Sequence, residues 1–170
     1  FPKATVLRPS ILFGKDDNFI NMFAGLISTL PVLPVFGPES ELQLVYVDDV
    51  AEAAVRALED PGKHGGKIYE LGGPAEYSFK QLLEMMLAQT GQKVCLLSIP
   101  FPIASLIGAL TGWLPGAPLT GDQVEMLKSD NVVAQGMPGL RDLEVEPTAI
   151  EAVLPSYMDV YRRGGRFASV

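Results

Sequence analysis

Short β-prone runs alternate along this chain with stretches whose apolar residues recur at helical spacing, and this alternation restricts the fold more than any other feature. Ala4-Thr5-Val6-Leu7 reads as a strand that Arg8-Pro9 closes, because proline removes a ladder donor and restrains its predecessor. Phe19, Ile20, Phe23, Leu26, Ile27 and Leu30 share one side of a helix over 18–30, with Asp16, Asp17 or Asn18 available as its cap. Three prolines and a glycine in 31–40 predict a loop feeding a short strand over 43–47. Asp48 or Asp49 caps the next helix, where Asp49-Val50-Ala51-Glu52 has capping-box spacing and Val50, Ala54 and Leu58 form the apolar stripe. A strand over 67–71 follows, then Gly72-Gly73-Pro74, and Ser78-Phe79-Lys80-Gln81 opens a helix that runs to Thr90 and stops at Gly91. The pattern predicts an α/β fold of crossover units, helix-rich with a few largely parallel strands, rather than a bundle or a sandwich.

No residue from Val94 to Gly121 is charged, so length alone would admit a membrane span. Pro100, Pro102 and Pro115 bracket the segment and Gly108 and Gly112 weaken its centre. The expectation is a strand over 93–99 and a helix over 103–114, too short to cross hydrocarbon. That helix carries Ile103, Leu106, Ile107, Leu110, Trp113 and Leu114, a surface that packs within this chain, docks on a protein partner or rests on a membrane. Thr120-Gly121-Asp122-Gln123 starts a further helix to Lys128, and Thr148-Ala149-Ile150-Glu151 is a third capping box ahead of a helical end. Residues 135–141 are turn-rich, one domain is expected over 1–163, and 164–170 reads as a tail.

The balance of 13 basic against 20 acidic residues gives a net charge of -7, which argues against a nucleic-acid partner, since phosphate backbones call for a basic face. The one cysteine, Cys95, sits in an apolar run and is expected to be a buried, inert thiol, in keeping with a reducing, cytoplasmic setting. His64, the only histidine, lies in a turn-like Gly- and Pro-rich stretch expected to be a solvated loop, and it has no Cys partner or acidic cluster with which to build a metal site. Phe1-Pro2-Lys3 has no signal-peptide pattern and begins just ahead of a strand, so the chain is expected to be part of a larger protein.

Three ordered motifs carry a family resemblance: residues 4–14 with Arg8-Pro9-Ser10-Ile11-Leu12-Phe13-Gly14, then Val45-Tyr46-Val47-Asp48-Asp49-Val50-Ala51, then Tyr69-Glu70-Leu71-Gly72-Gly73-Pro74. Together they resemble the C-terminal part of a Rossmann-like extended short-chain dehydrogenase of the NAD-dependent epimerase/dehydratase family. More narrowly, Asp17-Asn18-Phe19-Ile20-Asn21, Pro100-Phe101-Pro102, Thr120 with Asp122-Gln123-Val124, Gly139-Leu140 and Glu146-Pro147-Thr148 are similar to the atypical branch that includes the nucleotide-binding accessory subunit of respiratory complex I and its bacterial relatives. The resemblance implies that Arg8, Pro9, Ser10 and Ile11 belong to the NAD(P)H site, the last three at the nicotinamide end. It also implies that Phe13, Gly14, Phe19 and Tyr46 shape the substrate side. Ligands of open α/β sheets sit beyond the carboxyl ends of strands, where this loop emerges. The plainer alternative is that Arg8 pairs with a carboxylate while Phe13 and Phe19 are core.

The departures are equally informative. No glycine triplet here has the G-x-G-x-x-G spacing that presents backbone amides to a pyrophosphate, and no tyrosine has a lysine four residues on. By itself the chain is therefore expected to bind no dinucleotide and to catalyse nothing, with NAD(P)H held by a longer parent. Either an N-terminal half carries both motifs, or the parent has lost the tyrosine and holds its cofactor structurally. The functions left standing are a region of an NAD(P)-binding protein associated with NADH:ubiquinone oxidoreductase, a non-catalytic assembly module docking through 103–114, and part of an active reductase or epimerase. The expected partners are the N-terminal Rossmann half, a respiratory-complex or membrane-peripheral surface at the inner membrane, and a second copy meeting the exposed edge of the 4–7 strand.

Overall fold

The computed structural model describes residues 1–100, 102–103, 129–162 and 164. The helix expected over 120–128 lies outside these residues, as does all but Ile103 of the one expected over 103–114. Along the chain come β1 (Val6–Pro9), β2 (Leu12–Phe13), α1 (Phe19–Thr29), β3 (Val32–Phe36), β4 (Glu41–Leu42), β5 (Val45–Tyr46) and α2 (Val47–Glu59). Then follow α3 (Pro61–His64), β6 (Ile68–Leu71), β7 (Tyr77–Ser78), α4 (Phe79–Thr90), β8 (Cys95–Ile99), a 3-10 turn at Leu140–Leu143, α5 (Ile150–Val153), α6 (Pro155–Met158) and a 3-10 turn at Asp159–Tyr161. Among the described residues the ladders are two-stranded: β1–β6, β2–β5 and β3–β8 are parallel and β4–β7 is antiparallel.

Local signals set several elements as expected. Asp17 Oδ1 accepts the Ile20 and Asn21 amides at 2.6 and 3.3 Å and so caps α1. In α4, Ser78 and Gln81 satisfy each other's backbone amides, and Gly91 ends the helix at φ 65°, a conformation that costs glycine nothing.

Other elements depart from expectation for identifiable reasons. β1 starts two residues later than expected and runs through Pro9, which faces Leu71. The Val6 and Ser10 amides donate to Lys67 O and Leu71 O, so alternate residues face β6 and the missing Pro9 donor falls on the other side. The loop expected over 31–40 contains strand β3, where Leu33 and Val35 are buried and Pro34 is tolerated opposite Leu97 in a strand paired on one side. Of the strand expected over 43–47 only Val45–Tyr46 forms, as β5, with β4 just ahead of it at Glu41–Leu42, and α2 begins at Val47. Asp48 and Asp49 therefore lie inside its first turn, where they suit the helix dipole but do not cap it. The α2 stripe is Asp49, Ala53 and Ala57, whereas Leu58 stays 77% exposed. The capping box expected at Thr148 does not form, because α5 has no side-chain cap and the Thr148 hydroxyl donates to Asp49 Oδ1 at 2.8 Å.

His64 is also not solvated: it is 4% exposed, and its Nδ1 lies 2.7 Å from Tyr69 Oη. Cys95 is exposed, not buried, because β8 turns its odd-numbered residues Cys95 and Leu97 outward.

Among the described residues two apolar clusters hold the fold. The larger joins α1 and α4 to the C-terminal helices through Ile20, Ile27, Leu83, Met86, Leu154 and Met158. The smaller packs α2 and β6 on the 140–145 turn through Ala53, Tyr69, Leu71, Leu140, Leu143 and Val145. Burial of such side chains contributes about 1.5–3 kcal/mol each before entropy is set against it.

Candidate functional site

β1 and β6 run parallel, and their carboxyl ends open on a cavity of about 190 Å³ lined by Arg8, Pro9, Ser10, Glu70, Leu71, Asn131, Val132 and Val133. Its far wall is a strap, residues 130–138, which returns from a distant part of the chain. The strap is held by hydrogen bonds from Glu41 N to Asp130 Oδ1 (2.9 Å), Asn131 N to Glu41 O (2.8 Å), Gln43 N to Asn131 O (2.9 Å) and Glu70 N to Pro138 O (2.9 Å). Glycines make this approach feasible. A Cβ on Gly73 would collide with the Leu44 carbonyl oxygen, and one on Gly72 would lie 2.7 Å from both Gln43 Cδ and Val133 Cγ2.

Of the residues expected to bind a cofactor, Arg8, Pro9 and Ser10 meet at this cavity. The Ser10 hydroxyl donates to Asn131 Oδ1 at 2.8 Å, and its amide to Leu71 O at 2.9 Å. Arg8 stands 3.7 Å from Glu70, with the guanidinium side chain 58% and the carboxylate side chain 22% exposed. The other oxygen of Glu70 accepts the Ala134 amide at 3.0 Å, so this carboxylate ties the strap to the strand that carries Arg8. Arg8 thus does have a carboxylate partner and yet remains at the cavity mouth. Ile11 turns away, half-buried against the larger core, and its carbonyl accepts the Val45 amide at 3.0 Å.

Phe13, Gly14, Phe19 and Tyr46 form a second group beyond the first loop. Phe13 is fully buried, its ring 5.4 Å from that of half-buried Tyr46. Gly14 is packed so closely that a Cβ would come within 2.8 Å of Val47 Cγ1. Phe19 stacks edge-on with Phe23 at 5.2 Å and lies 6.2 Å from Phe79. Interaction with the Asp48 carboxylate, then partial burial, raises the pKa of the Tyr46 phenol, which makes it a donor rather than a base.

Glu70 lies in one of the resembling motifs with no role given to it, and Gln43 and Asn131 lie in none. The one local hint was the Gly72-Gly73 pair, which permits close backbone approach beside them. Among the described residues no group of three His, Cys, Asp or Glu could hold a metal ion, and no helix is long and apolar enough to cross a membrane.

No family profile matches the chain. It is similar to the mitochondrial NADH dehydrogenase [ubiquinone] 1 alpha subcomplex subunit 9 of Arabidopsis thaliana, 32% identical over 96% of this chain and 43% of the relative. The subunit of the same name from Mus musculus is 37% identical over 89% of this chain and 40% of the relative. The chain therefore spans less than half the length of these curated relatives. Among solved structures it superimposes on UDP-glucose 4-epimerase from Thermotoga maritima with a TM-score of 0.64 and 21% identity, covering 92% of this chain and 45% of the other. It also superimposes on dTDP-glucose 4,6-dehydratase from Bacillus anthracis, solved in complex with NAD, with a TM-score of 0.58 and 16% identity over 90% and 42% of the two chains. These likenesses show the fold expected from the motifs, a portion of a Rossmann-like α/β fold.

Proposed function

We propose that this chain, a member of the epimerase/dehydratase type of extended short-chain dehydrogenases, is the C-terminal, substrate-side and partner-side part of an NAD(P)-binding protein associated with NADH:ubiquinone oxidoreductase. The observation that carries the cofactor reading is the meeting of Arg8, Pro9 and Ser10 at a cavity on the carboxyl ends of a parallel strand pair, where open α/β sheets take their ligands. Its volume of about 190 Å³ is below the roughly 300–1,000 Å³ of whole small-molecule sites, which suits the ring end of a nicotinamide and not an entire dinucleotide. In this reading Arg8, Pro9, Ser10 and Ile11 serve the cofactor, an N-terminal half of the parent holds its phosphates, and Phe13, Gly14, Phe19 and Tyr46 shape the substrate side. Phe13 acts there from behind, through Tyr46. Residues 1–163 work as one unit, with 164–170 as a tail.

The kinship with named subunits of a mitochondrial complex supports a respiratory-complex partner and a place peripheral to the inner membrane, with 103–114 as the contact. It equally favours a second reading, in which the nucleotide only stabilises an assembly module and no chemistry occurs. The lack of any tyrosine followed four residues on by lysine supports that reading for this region. In isolation the chain would self-associate through the side of β1 that faces away from β6, which sedimentation would reveal.

Fluorescence titration of NADH and NADPH tests the cofactor reading, on the 170-residue chain and on the full-length protein that contains it. Binding by the longer protein that weakens on Ser10→Ala or Arg8→Ala supports the site. Tight binding by this chain alone, or binding indifferent to both substitutions, refutes it.

A further inference from the structure

The strap over the cavity converges on a single carboxamide. Gln43, between β4 and β5, donates from Nε2 to Gly73 O at 2.9 Å and accepts the Val133 amide at Oε1 at 2.8 Å. Its backbone amide donates to Asn131 O at 2.9 Å. One side chain therefore bridges the exit of β6 and the strap, the two segments that wall the cavity at Leu71 and at Asn131, Val132 and Val133. Gly72 makes room for it, since a Cβ there would lie 2.7 Å from both Gln43 Cδ and Val133 Cγ2. The site requires a donor and an acceptor at fixed positions on one planar group, which an amide provides and an ionised carboxylate or an alkyl group does not.

We propose that Gln43 is a positioning residue, a latch whose two hydrogen bonds hold the 131–133 strap closed against the carboxyl ends of β1 and β6 and so set how tightly a ligand is retained in the cavity. Gln43 does not line the cavity and touches no ligand; it acts through Val133 and Gly73. The inference rests on the cofactor reading for its ligand, but the latch can be judged apart from it.

Gln43→Glu provides a readout that a simple packing role would not move. Ionised, the new carboxylate still accepts from Val133 N but sets an oxygen against Gly73 O; protonated, it restores both bonds. The charged side chains on the surrounding segments are Arg8 on β1, Glu41 on β4, Glu70 on β6 and Asp130 on the strap, and all four are present in every variant compared.

The experiment titrates NADPH and NADH into the full-length protein carrying this chain, as wild type, Gln43→Glu and Gln43→Leu, at about pH 4.5 and about pH 7.5, the lower near and the higher well above the ordinary glutamate value of about 4.3. Gln43→Leu is expected to bind roughly tenfold more weakly at both pH values, from the loss of two hydrogen bonds. Gln43→Glu is expected to share that loss at the higher pH and to return to within about twofold of wild type at the lower. Wild-type affinity in either variant at the higher pH overturns the latch, as does a Gln43→Glu loss equal at both. If the wild type itself binds neither nucleotide, the cofactor reading falls, and hydrogen exchange of the 130–138 backbone decides on the latch. Exchange about tenfold faster in Gln43→Leu than in wild type, with α4 unchanged as the internal reference, supports it; unchanged strap exchange overturns it.

Discussion

Asp49 and Thr148, 99 residues apart, are joined by two hydrogen bonds: the Thr148 amide donates to Asp49 Oδ2 at 2.6 Å and its hydroxyl to Oδ1 at 2.8 Å. The carboxylate is buried in the first turn of α2, so it fastens the C-terminal segment to the helix beneath β1 and β6. Asp49→Ala leaves both donors without a partner and is expected to lower stability by about 3 kcal/mol. Asp49→Asn, which offers one acceptor oxygen to two donors, should lose about 1–2 kcal/mol. Urea unfolding of the two variants against wild type measures both, and equal stability of all three would show that the pair contributes nothing.

Glycine positions are expected to divide by sign. Gly73→Ala drives a methyl group into the Leu44 carbonyl oxygen and should destabilise by about 2–3 kcal/mol while disturbing the cavity wall. Gly25→Ala, in α1 with nothing near its Cβ, should stabilise by about 0.5–1 kcal/mol. Thermal melts of the two variants should move in opposite directions.

Alkaline pH should weaken the fold through its tyrosines. Burial, then the 2.6 Å hydrogen bond to Glu151, pushes the Tyr77 phenol from its ordinary value of 10.0 to about 12. The fold favours the neutral phenol, so the stability gained is whole below pH 10 and disappears as the pH rises through about 12. Tyr46, Tyr69 and Tyr157 are raised as well, Tyr69 and Tyr157 chiefly by burial, so phenolate absorbance of the native protein should lag that of the unfolded chain. Tyr77→Phe should remove one late step from that titration and leave the steps of the other tyrosines in place.

The His64–Tyr69 contact offers a buried counterpart to an exposed one beside it. Tyr69→Phe deprives His64 Nδ1 of the hydroxyl at 2.7 Å and should cost about 1–2 kcal/mol by urea unfolding. Lys63→Ala breaks a 2.7 Å pair with Glu144 that lies open to water, and its unfolding midpoint should hardly change.

Which parts of this structure could be read in advance follows from the range of the forces involved. α1, α4 and β8 were legible because their signals are local: Asp17 before a helical stripe, Ser78 three residues ahead of Gln81, Gly91 at the stop. β3 was hidden by Pro34, since only the pairing partner reveals that one side of the strand needs no donor. Asp49 and Thr148 each carried a plausible local cap, and a contact across the molecule displaced both. His64 looked solvated by its glycine and proline neighbours until β6 supplied Tyr69. At the candidate site the motif residues Arg8, Pro9 and Ser10 could be named, but Glu70, Gln43 and Asn131 become neighbours only once the strap has returned.

Among the described residues no ladder is a hairpin: β1 waits for β6, β2 for β5, β3 for β8 and β4 for β7. During synthesis, which releases the chain from its N-terminus, Val32–Phe36 must stay unpaired until Cys95–Ile99 has emerged, and the strap cannot seat on Gln43 until residues beyond 130 exist. Closing such long loops before these four ladders form makes for a slow, cooperative transition, in which early-made strands depend on late-made ones and truncation near residue 130 is expected to loosen structure around β4 and β6.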